Sequence, residues 1–97
     1  MPRTETVRRA AGGFDTTLIQ GGPPDGEPVL FVHNTTPGVT AATGWGSFAS
    51  RLSDEFRVLA PDLVGHGATT CERPVRTGLA AWTRTRVAQV LALLDEL

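Results

Sequence analysis

Two polar loops carry the residue types in this sequence that could do chemistry. Residues 33–38 read His-Asn-Thr-Thr-Pro-Gly and follow a short apolar run, and residues 62–67 read Asp-Leu-Val-Gly-His-Gly and follow a second such run. In an open α/β sheet, ligands gather at the carboxyl ends of the strands. We therefore expect the two loops to face one crevice that could bind a small molecule.

The sequence offers few nucleophiles and few ligands for a metal ion. Its serines are Ser47, Ser50 and Ser53, and none stands in the Gly-x-Ser-x-Gly pattern of a nucleophile on a strand-to-helix turn. Cys71 is predicted to be an ordinary loop thiol, since only one histidine is near it in sequence. Two isolated histidines do not predict a metal site, and no cofactor is expected. Residues 44–49 spell a dinucleotide fingerprint but lack the acidic partner that ribose binding requires.

Four short segments predict the strands that position these loops. Residues 6–10 and 14–20 flank Gly12-Gly13 and predict a hairpin. The run Val-Leu-Phe-Val at residues 29–32 has no alternation, which suits a central parallel strand buried on both faces. Residues 57–61 predict a second buried strand that ends at a proline, and residues 62–74 are predicted to be a loop.

Two segments predict helices. Helical spacing begins after Gly44 with Trp45 and continues to Leu52. The second helix is the chain's last element, with Thr77 or Gly78 as its cap and an apolar stripe predicted to face the core: Leu79, Trp82, Val87, Val90, Leu91, Leu94 and Leu97. The order of three strands, helix, strand, helix predicts an α/β fold with a mostly parallel sheet. The sequence leaves open whether the two helices cover one face of the sheet or both.

Length and charge exclude several classes of protein. A chain of 97 residues forms one domain at most, and residues 1–97 are assigned to a single unit. A net charge of −1, with nine arginines and no lysine, gives no basic footprint for nucleic acid or for a membrane surface. We see no apolar run of membrane-spanning length and no secretory signal. The single cysteine favours a cytoplasmic location.

The motifs together resemble a known family. The loop at residues 33–38, the tryptophan at 45 and the stretch Pro-Asp-Leu-Val-Gly-His-Gly at residues 61–67 look like the N-terminal part of an α/β-hydrolase. Within that superfamily the chain is most similar to hydrolases of meta-cleavage products, the 2-hydroxymuconate-semialdehyde type, mainly through Pro37-Gly38-Val39-Thr40. The resemblance covers nearly the whole chain.

The resemblance implies a mechanism and a role for several residues. Such enzymes cleave C–C or ester bonds of a small-molecule substrate with a Ser-His-Asp triad, and two backbone N–H groups hold the oxyanion. By position, Thr35 or Thr36 would supply one of these N–H groups, and Asn34 and Trp45 would contact the substrate. His33 would hold the loop and not act as the base. The family's glycine after this histidine is replaced here by Asn34.

The resemblance also implies what is missing and what is left open. The chain looks like an enzyme cut before its nucleophile strand, so we expect no activity from it alone. One alternative is a fragment of a haloalkane dehalogenase or epoxide hydrolase, with an aspartate nucleophile on the same elbow. Another is a non-catalytic α/β module that pairs with a partner chain. In the family's strand order, truncation exposes residues 29–32 as an uncharged edge, through which the isolated chain is expected to self-associate.

Overall fold

A computed structural model describes residues 4–96 as one mixed β-sheet with two helices. The strands are β1 (Thr4–Ala11), β2 (Phe14–Gly21), β3 (Pro28–Leu30), β4 (Arg57–Pro61) and β5 (Thr70–Cys71), and the helices are α1 (Ala41–Leu52) and α2 (Leu79–Asp95). The predicted α/β class, the hairpin and both helices are confirmed. The short strand β5 lies inside the stretch 62–74 that was predicted to be a loop, so that prediction was wrong for two residues.

The sheet has the order β1-β2-β4-β3, and β5 pairs with β2. Among the described residues only β3 and β4 are parallel, whereas β2 is antiparallel to β1, β4 and β5. The prediction of a mostly parallel sheet was therefore wrong. A tight hairpin reverses β2 and places it beside β4, while the helical crossover through α1 keeps β3 and β4 parallel.

The first helix packs on one face of the sheet and builds the apolar core. Thr40 caps it, since its hydroxyl accepts a hydrogen bond from Thr43 N–H. The helix therefore begins at Ala41, four residues before Trp45, where the helical spacing predicted its start. Its buried alanines belong to one apolar cluster with Ile19 of β2, Val58 and Ala60 of β4, and Phe31, which directly follows β3.

The second helix packs on the opposite face. Thr16 and Leu18 alternate with Ile19 along β2, so they point away from α1, and Thr16 receives a hydrogen bond from Gln89 of α2. The sequence had left this arrangement open. The helix begins after Gly78, one of the two predicted caps, without a capping side chain.

The predicted core stripe of α2 is wrong in most of its positions. Leu79, Val87 and Leu91 are 81%, 52% and 55% exposed, whereas Gln89 and Leu93 are buried. The cause is the surface beneath the helix, where Gln89 satisfies backbone polar groups of the turn that follows β4. The helix is rotated so that a polar side chain faces the sheet, and much of its apolar stripe remains in solvent. Leu97, the last residue of the predicted stripe, lies outside the described residues.

An ion pair fastens β5 and its loop to the hairpin. Arg8 donates to the Asp15 carboxylate at 2.8 Å and also to the Ala68 carbonyl oxygen at 3.2 Å. The hydrogen bond to Asp15 raises the pKa of Arg8 above its ordinary value. The contact positions the segment 68–71, which directly follows the second predicted loop.

Candidate functional site

The two predicted loops meet at the carboxyl ends of β3 and β4, and His33 joins them. Its side chain is buried, its Nδ1 lies 2.6 Å from the Asn34 carbonyl oxygen, and its Nε2 lies 2.9 Å from the Leu63 nitrogen. A backbone N–H can only donate, so Nε2 accepts and the hydrogen of the neutral ring is on Nδ1. Both ring nitrogens are therefore engaged, which leaves His33 a positioning residue, as the resemblance implied.

His66 is a second buried histidine where the two loops meet. Its Nδ1 lies 2.7 Å from the Val39 carbonyl oxygen, and its ring meets the His33 ring edge-on at 4.7 Å between centroids. The turn that carries it is fixed by a hydrogen bond from His66 N–H to the Leu63 carbonyl at 2.9 Å. The two histidines therefore connect the loops to each other.

Asp62 connects the crevice to the start of α1. Its Oδ1 accepts a hydrogen bond of 2.7 Å from Ala41 N–H, the first residue of the helix, where a carboxylate is favoured by the helix dipole. Gly67, at φ +55°, lies so close that a Cβ there would overlap the second oxygen of this carboxylate. The absence of a side chain at Gly67 therefore allows the Gly-His-Gly turn to pack closely against Asp62.

Two side chains of α2 form hydrogen bonds with the turn that follows β4, and the sequence analysis predicted neither contact. Gln89, with no exposed surface, accepts from Val64 N–H at 2.9 Å and donates to the Asp62 carbonyl oxygen and the Thr16 hydroxyl, both at 3.0 Å. Arg86 donates to the Val64 carbonyl at 3.1 Å and lies over the Trp82 ring. One face of a helix is also formed by residues 82, 86, 89 and 93, so their spacing could have predicted this buried face. Two of the four residues are polar, and for that reason the sequence analysis assigned the face to solvent.

The two predicted oxyanion donors differ in the hydrogen bonds that their backbone amides form. Thr36 N–H donates to Asn34 Oδ1 at 3.0 Å, which closes a small turn. Within residues 4–96, Thr35 N–H has no such acceptor. No residue other than glycine has a positive φ in the described chain, so the loop accommodates both threonines in ordinary backbone conformations, with Gly38 at φ +85°.

An apolar groove opens beside Thr35. It has a volume of about 340 Å³, and its walls come from the loops and from α2: Val32, His33, Thr35, Leu63, Leu79, Thr83, Arg86, Val87, Val90 and Leu91. Two predicted substrate contacts, Asn34 and Trp45, are not among these residues. Asn34 holds the Thr36 amide, and Trp45 lies on α1, where its indole N–H donates to the Val32 carbonyl at 3.1 Å.

The described residues do not assemble a nucleophile. The Ser53 hydroxyl donates to the Ser50 carbonyl at the C-terminal end of α1, and the Cys71 thiol donates to the Arg73 carbonyl. Nowhere in residues 4–96 do three or more His, Cys, Asp or Glu side chains converge as metal ligands. The same residues form no helix of the length and hydropathy needed to cross a membrane.

Comparison with known proteins gives a consistent set of relatives, although no family model matches the chain. It is 40% identical over 87 residues to 2-hydroxy-6-oxo-2,4-heptadienoate hydrolase of Pseudomonas putida, covering 90% of this chain and 29% of that protein. It is 39% identical over 64 residues to a 2-hydroxymuconate semialdehyde hydrolase of a Pseudomonas species, covering 66% of this chain and 21% of that one. The chain thus spans less than a third of the length of the curated relatives it matches.

A solved structure agrees with these relatives. The 2-hydroxy-6-oxo-6-phenylhexa-2,4-dienoate hydrolase of a Rhodococcus species superposes with a TM-score of 0.86 at 29% identity, over 95% of this chain and 34% of that one. The fold and the similarity to hydrolases of meta-cleavage products are confirmed.

Proposed function

The chain belongs to the α/β-hydrolase superfamily, and we propose that it forms the oxyanion-binding part of a serine-type hydrolase. The proposed reaction is cleavage of a C–C or ester bond next to a carbonyl group. The relatives named above act on 2-hydroxy-6-oxo-dienoates or a muconate semialdehyde, so we place the substrate among such unsaturated oxo acids. A cytoplasmic location is part of this proposal and rests on the single cysteine.

The observation that supports this role is the position of the Thr35 amide. This amide has no acceptor within the described residues, and Thr35 lines an apolar groove in the loop that follows β3. A nucleophile adds to the substrate carbonyl carbon, and the π electrons of the C=O bond move onto oxygen. A fixed N–H group aimed at that oxygen stabilises the charge as it develops. His33 and Asp62 serve this reaction indirectly, because they position the loop.

The catalytic serine, histidine and carboxylate are not among the residues that form the crevice. We therefore propose that the chemistry needs polypeptide corresponding to the part of the relatives that this chain does not cover. An aspartate nucleophile would use the same crevice, and no contact described above favours it over serine.

We expect the purified chain to show no turnover of a p-nitrophenyl ester and no labelling by a fluorophosphonate probe. The reason is that both tests require an activated serine, whereas the Ser53 hydroxyl donates to the Ser50 carbonyl oxygen at the C-terminal end of α1. The control is any active serine hydrolase treated in parallel. Labelling of the folded chain, mapped by mass spectrometry, would reveal a nucleophile within it and would overturn the proposed division of roles.

The oxyanion role can be tested in a hybrid enzyme in which residues 4–96 replace the matching part of the Pseudomonas putida relative. Thr35→Pro removes the N–H, and we expect kcat to fall by about 10²-fold because one oxyanion donor is lost. Thr35→Ala keeps the N–H and should retain kcat within a few fold. The measurement is steady-state hydrolysis, with circular dichroism to confirm folding of both variants. Equal kcat values for the two variants would exclude the Thr35 amide as a donor.

A further inference from the structure

A chain of buried hydrogen bonds begins at the Gln89 side-chain amide of α2. Gln89 Nε2 donates to the Asp62 carbonyl oxygen at 3.0 Å. Leu63 N–H, which belongs to the same peptide unit as that carbonyl, donates to His33 Nε2 at 2.9 Å. The peptide bond is trans, so its C=O and N–H groups point in opposite directions. This peptide unit therefore links the amide of α2 to the His33 ring.

The His33 ring extends this hydrogen-bond chain into the loop at residues 33–38. Because Nε2 accepts a hydrogen bond, the ring hydrogen is on Nδ1, which donates to the Asn34 carbonyl oxygen at 2.6 Å. This carbonyl shares a second trans peptide unit with Thr35 N–H. Thr35 N–H is therefore the last donor of the hydrogen-bond chain, and within residues 4–96 it has no acceptor of its own.

The orientation of the Gln89 amide is fixed by its contacts. Its Oε1 accepts from Val64 N–H at 2.9 Å, and a backbone N–H can only donate. Its Nε2 therefore faces the Asp62 carbonyl oxygen, which can only accept, and also the Thr16 hydroxyl at 3.0 Å. A flipped amide would place oxygen against oxygen and nitrogen against N–H. The hydrogen-bond chain therefore starts from a donor at Gln89.

All donors in the hydrogen-bond chain are oriented in one direction, from α2 toward Thr35. When a carbonyl oxygen accepts a hydrogen bond, the N–H group of the same peptide unit becomes a better donor, so successive bonds strengthen one another by about 10–30% each. Gln89 and His33 are buried, so water does not compete for their contacts. Thr35 N–H is therefore more polarised and more firmly positioned than an amide in an unsupported loop.

We propose that Gln89 is a positioning residue for the oxyanion, because it holds and polarises the Thr35 N–H group through His33 and the two peptide units. Gln89 does not line the groove beside Thr35, so it acts without touching the substrate. This catalytic role rests on the proposed function. The hydrogen-bond chain itself lies entirely among the described residues, and it can be measured without turnover.

Nuclear magnetic resonance (NMR) of the isotopically labelled 97-residue polypeptide tests these hydrogen bonds without any substitution. Spectra are recorded at about pH 8, above the range in which histidine side chains ordinarily titrate. We expect one His33 tautomer, with the hydrogen on Nδ1, and a scalar coupling across the hydrogen bond between His33 Nε2 and the Leu63 amide nitrogen. A hydrogen on Nε2, or no coupling to Leu63, would overturn the proposal.

Two variants test whether the hydrogen-bond chain depends on Gln89. Gln89→Met removes the first donor and keeps an unbranched side chain, so the Leu63 N–H and His33 Nδ1–H proton resonances should shift upfield as their hydrogen bonds weaken. Thr16→Val is the matched control, because it removes the other bond of the same Nε2 group and leaves the Asp62 contact in place. It should leave both resonances unchanged, and circular dichroism confirms folding. Unshifted resonances in Gln89→Met, or equal shifts in the two variants, would contradict the proposal.

The hybrid enzyme that carries residues 4–96 tests the catalytic role. Gln89→Met should lower kcat by about 3-fold or more and change KM by less than about 2-fold, because the oxyanion forms only in the transition state. In a Thr35→Pro background the same substitution should have no further effect, since the N–H group on which it acts is absent. An equal loss in both backgrounds would exclude action through Thr35. If Thr35→Pro alone leaves kcat unchanged, the proposed function and the catalytic role of Gln89 both fail, whereas the NMR couplings do not depend on that result.

Discussion

Replacement of Gln89 by leucine is expected to lower the free energy of unfolding by about 3 kcal/mol, because three buried backbone and hydroxyl groups lose their partner at once. Val64 N–H, the Asp62 carbonyl oxygen and the Thr16 hydroxyl all depend on this one amide. Leucine has a similar volume, so the change isolates the hydrogen bonds from the creation of a cavity. A chain of this size has a total stability of about 5–15 kcal/mol, so the loss is a large fraction of it.

Thermal and urea unfolding at one fixed protein concentration measure this effect. A loss of about 3 kcal/mol corresponds to a fall in Tm of roughly 12–24 °C for a domain of this length. Arg84→Leu, an exposed position on the same helix, is the control and should change stability by about 0.5 kcal/mol or less. If the two variants unfolded at the same temperature, Gln89 would not anchor the turn after β4.

The fold class followed from the sequence because its strongest signals are local. Gly12-Gly13 between two strand-forming segments predicted the hairpin, and the structure pairs Ala11 with Phe14 across it. The apolar run at residues 29–32 predicted a central strand buried on both faces, whereas the structure places the strand at Pro28–Leu30, at the edge of the described sheet, with Val32 46% exposed. The relative direction of the strands, in contrast, depends on contacts between segments that are distant in the sequence, so local signals did not predict it. Nothing in residues 14–20 indicates that β2 pairs with β4 as well as with β1, and that pairing makes the sheet mixed.

The buried face of α2 was mispredicted for a physical reason. Periodicity of apolar residues assumes that a helix packs on an apolar surface. Here the helix packs on a turn with unsatisfied backbone groups, so the residue with the right hydrogen-bonding groups, Gln89, takes the central position. Leu79 and Val87 are consequently exposed and line the groove beside Thr35.

The site itself was predicted in outline only. The meeting of the two loops followed from their positions at strand ends, and His33 has the positioning contacts that the resemblance implied. Thr35 stays a predicted oxyanion donor, while the Thr36 amide is taken by Asn34. That local turn depends on a side-chain rotamer, which the types and spacing of the residues do not fix. Trp45 stays a predicted substrate contact, and in the structure its indole N–H donates to the Val32 carbonyl oxygen, two residues after the end of β3.

Gly67→Ala is expected to cost about 3 kcal/mol of unfolding free energy, from two sources that a matched variant separates. An alanine at φ +55° costs about 1–2 kcal/mol from backbone conformation alone. Its Cβ would also overlap the Asp62 carboxylate, which must move and release Ala41 N–H at the start of α1. Leaving that buried donor unsatisfied adds about 1–3 kcal/mol.

Gly38→Ala is the matched control, because Gly38 has φ +85° but no atom within 4 Å of the added Cβ. It should cost only the backbone term of about 1 kcal/mol. In an Asp62→Ala background, Gly67→Ala should likewise fall to that smaller cost, because the overlapping carboxylate is gone. Amide hydrogen exchange at Ala41 is the second measurement, and its protection should drop in Gly67→Ala but not in Gly38→Ala. Equal costs for the two glycine variants, with Ala41 protected in both, would show that the close approach of Gly67 to Asp62 does not hold the crevice together.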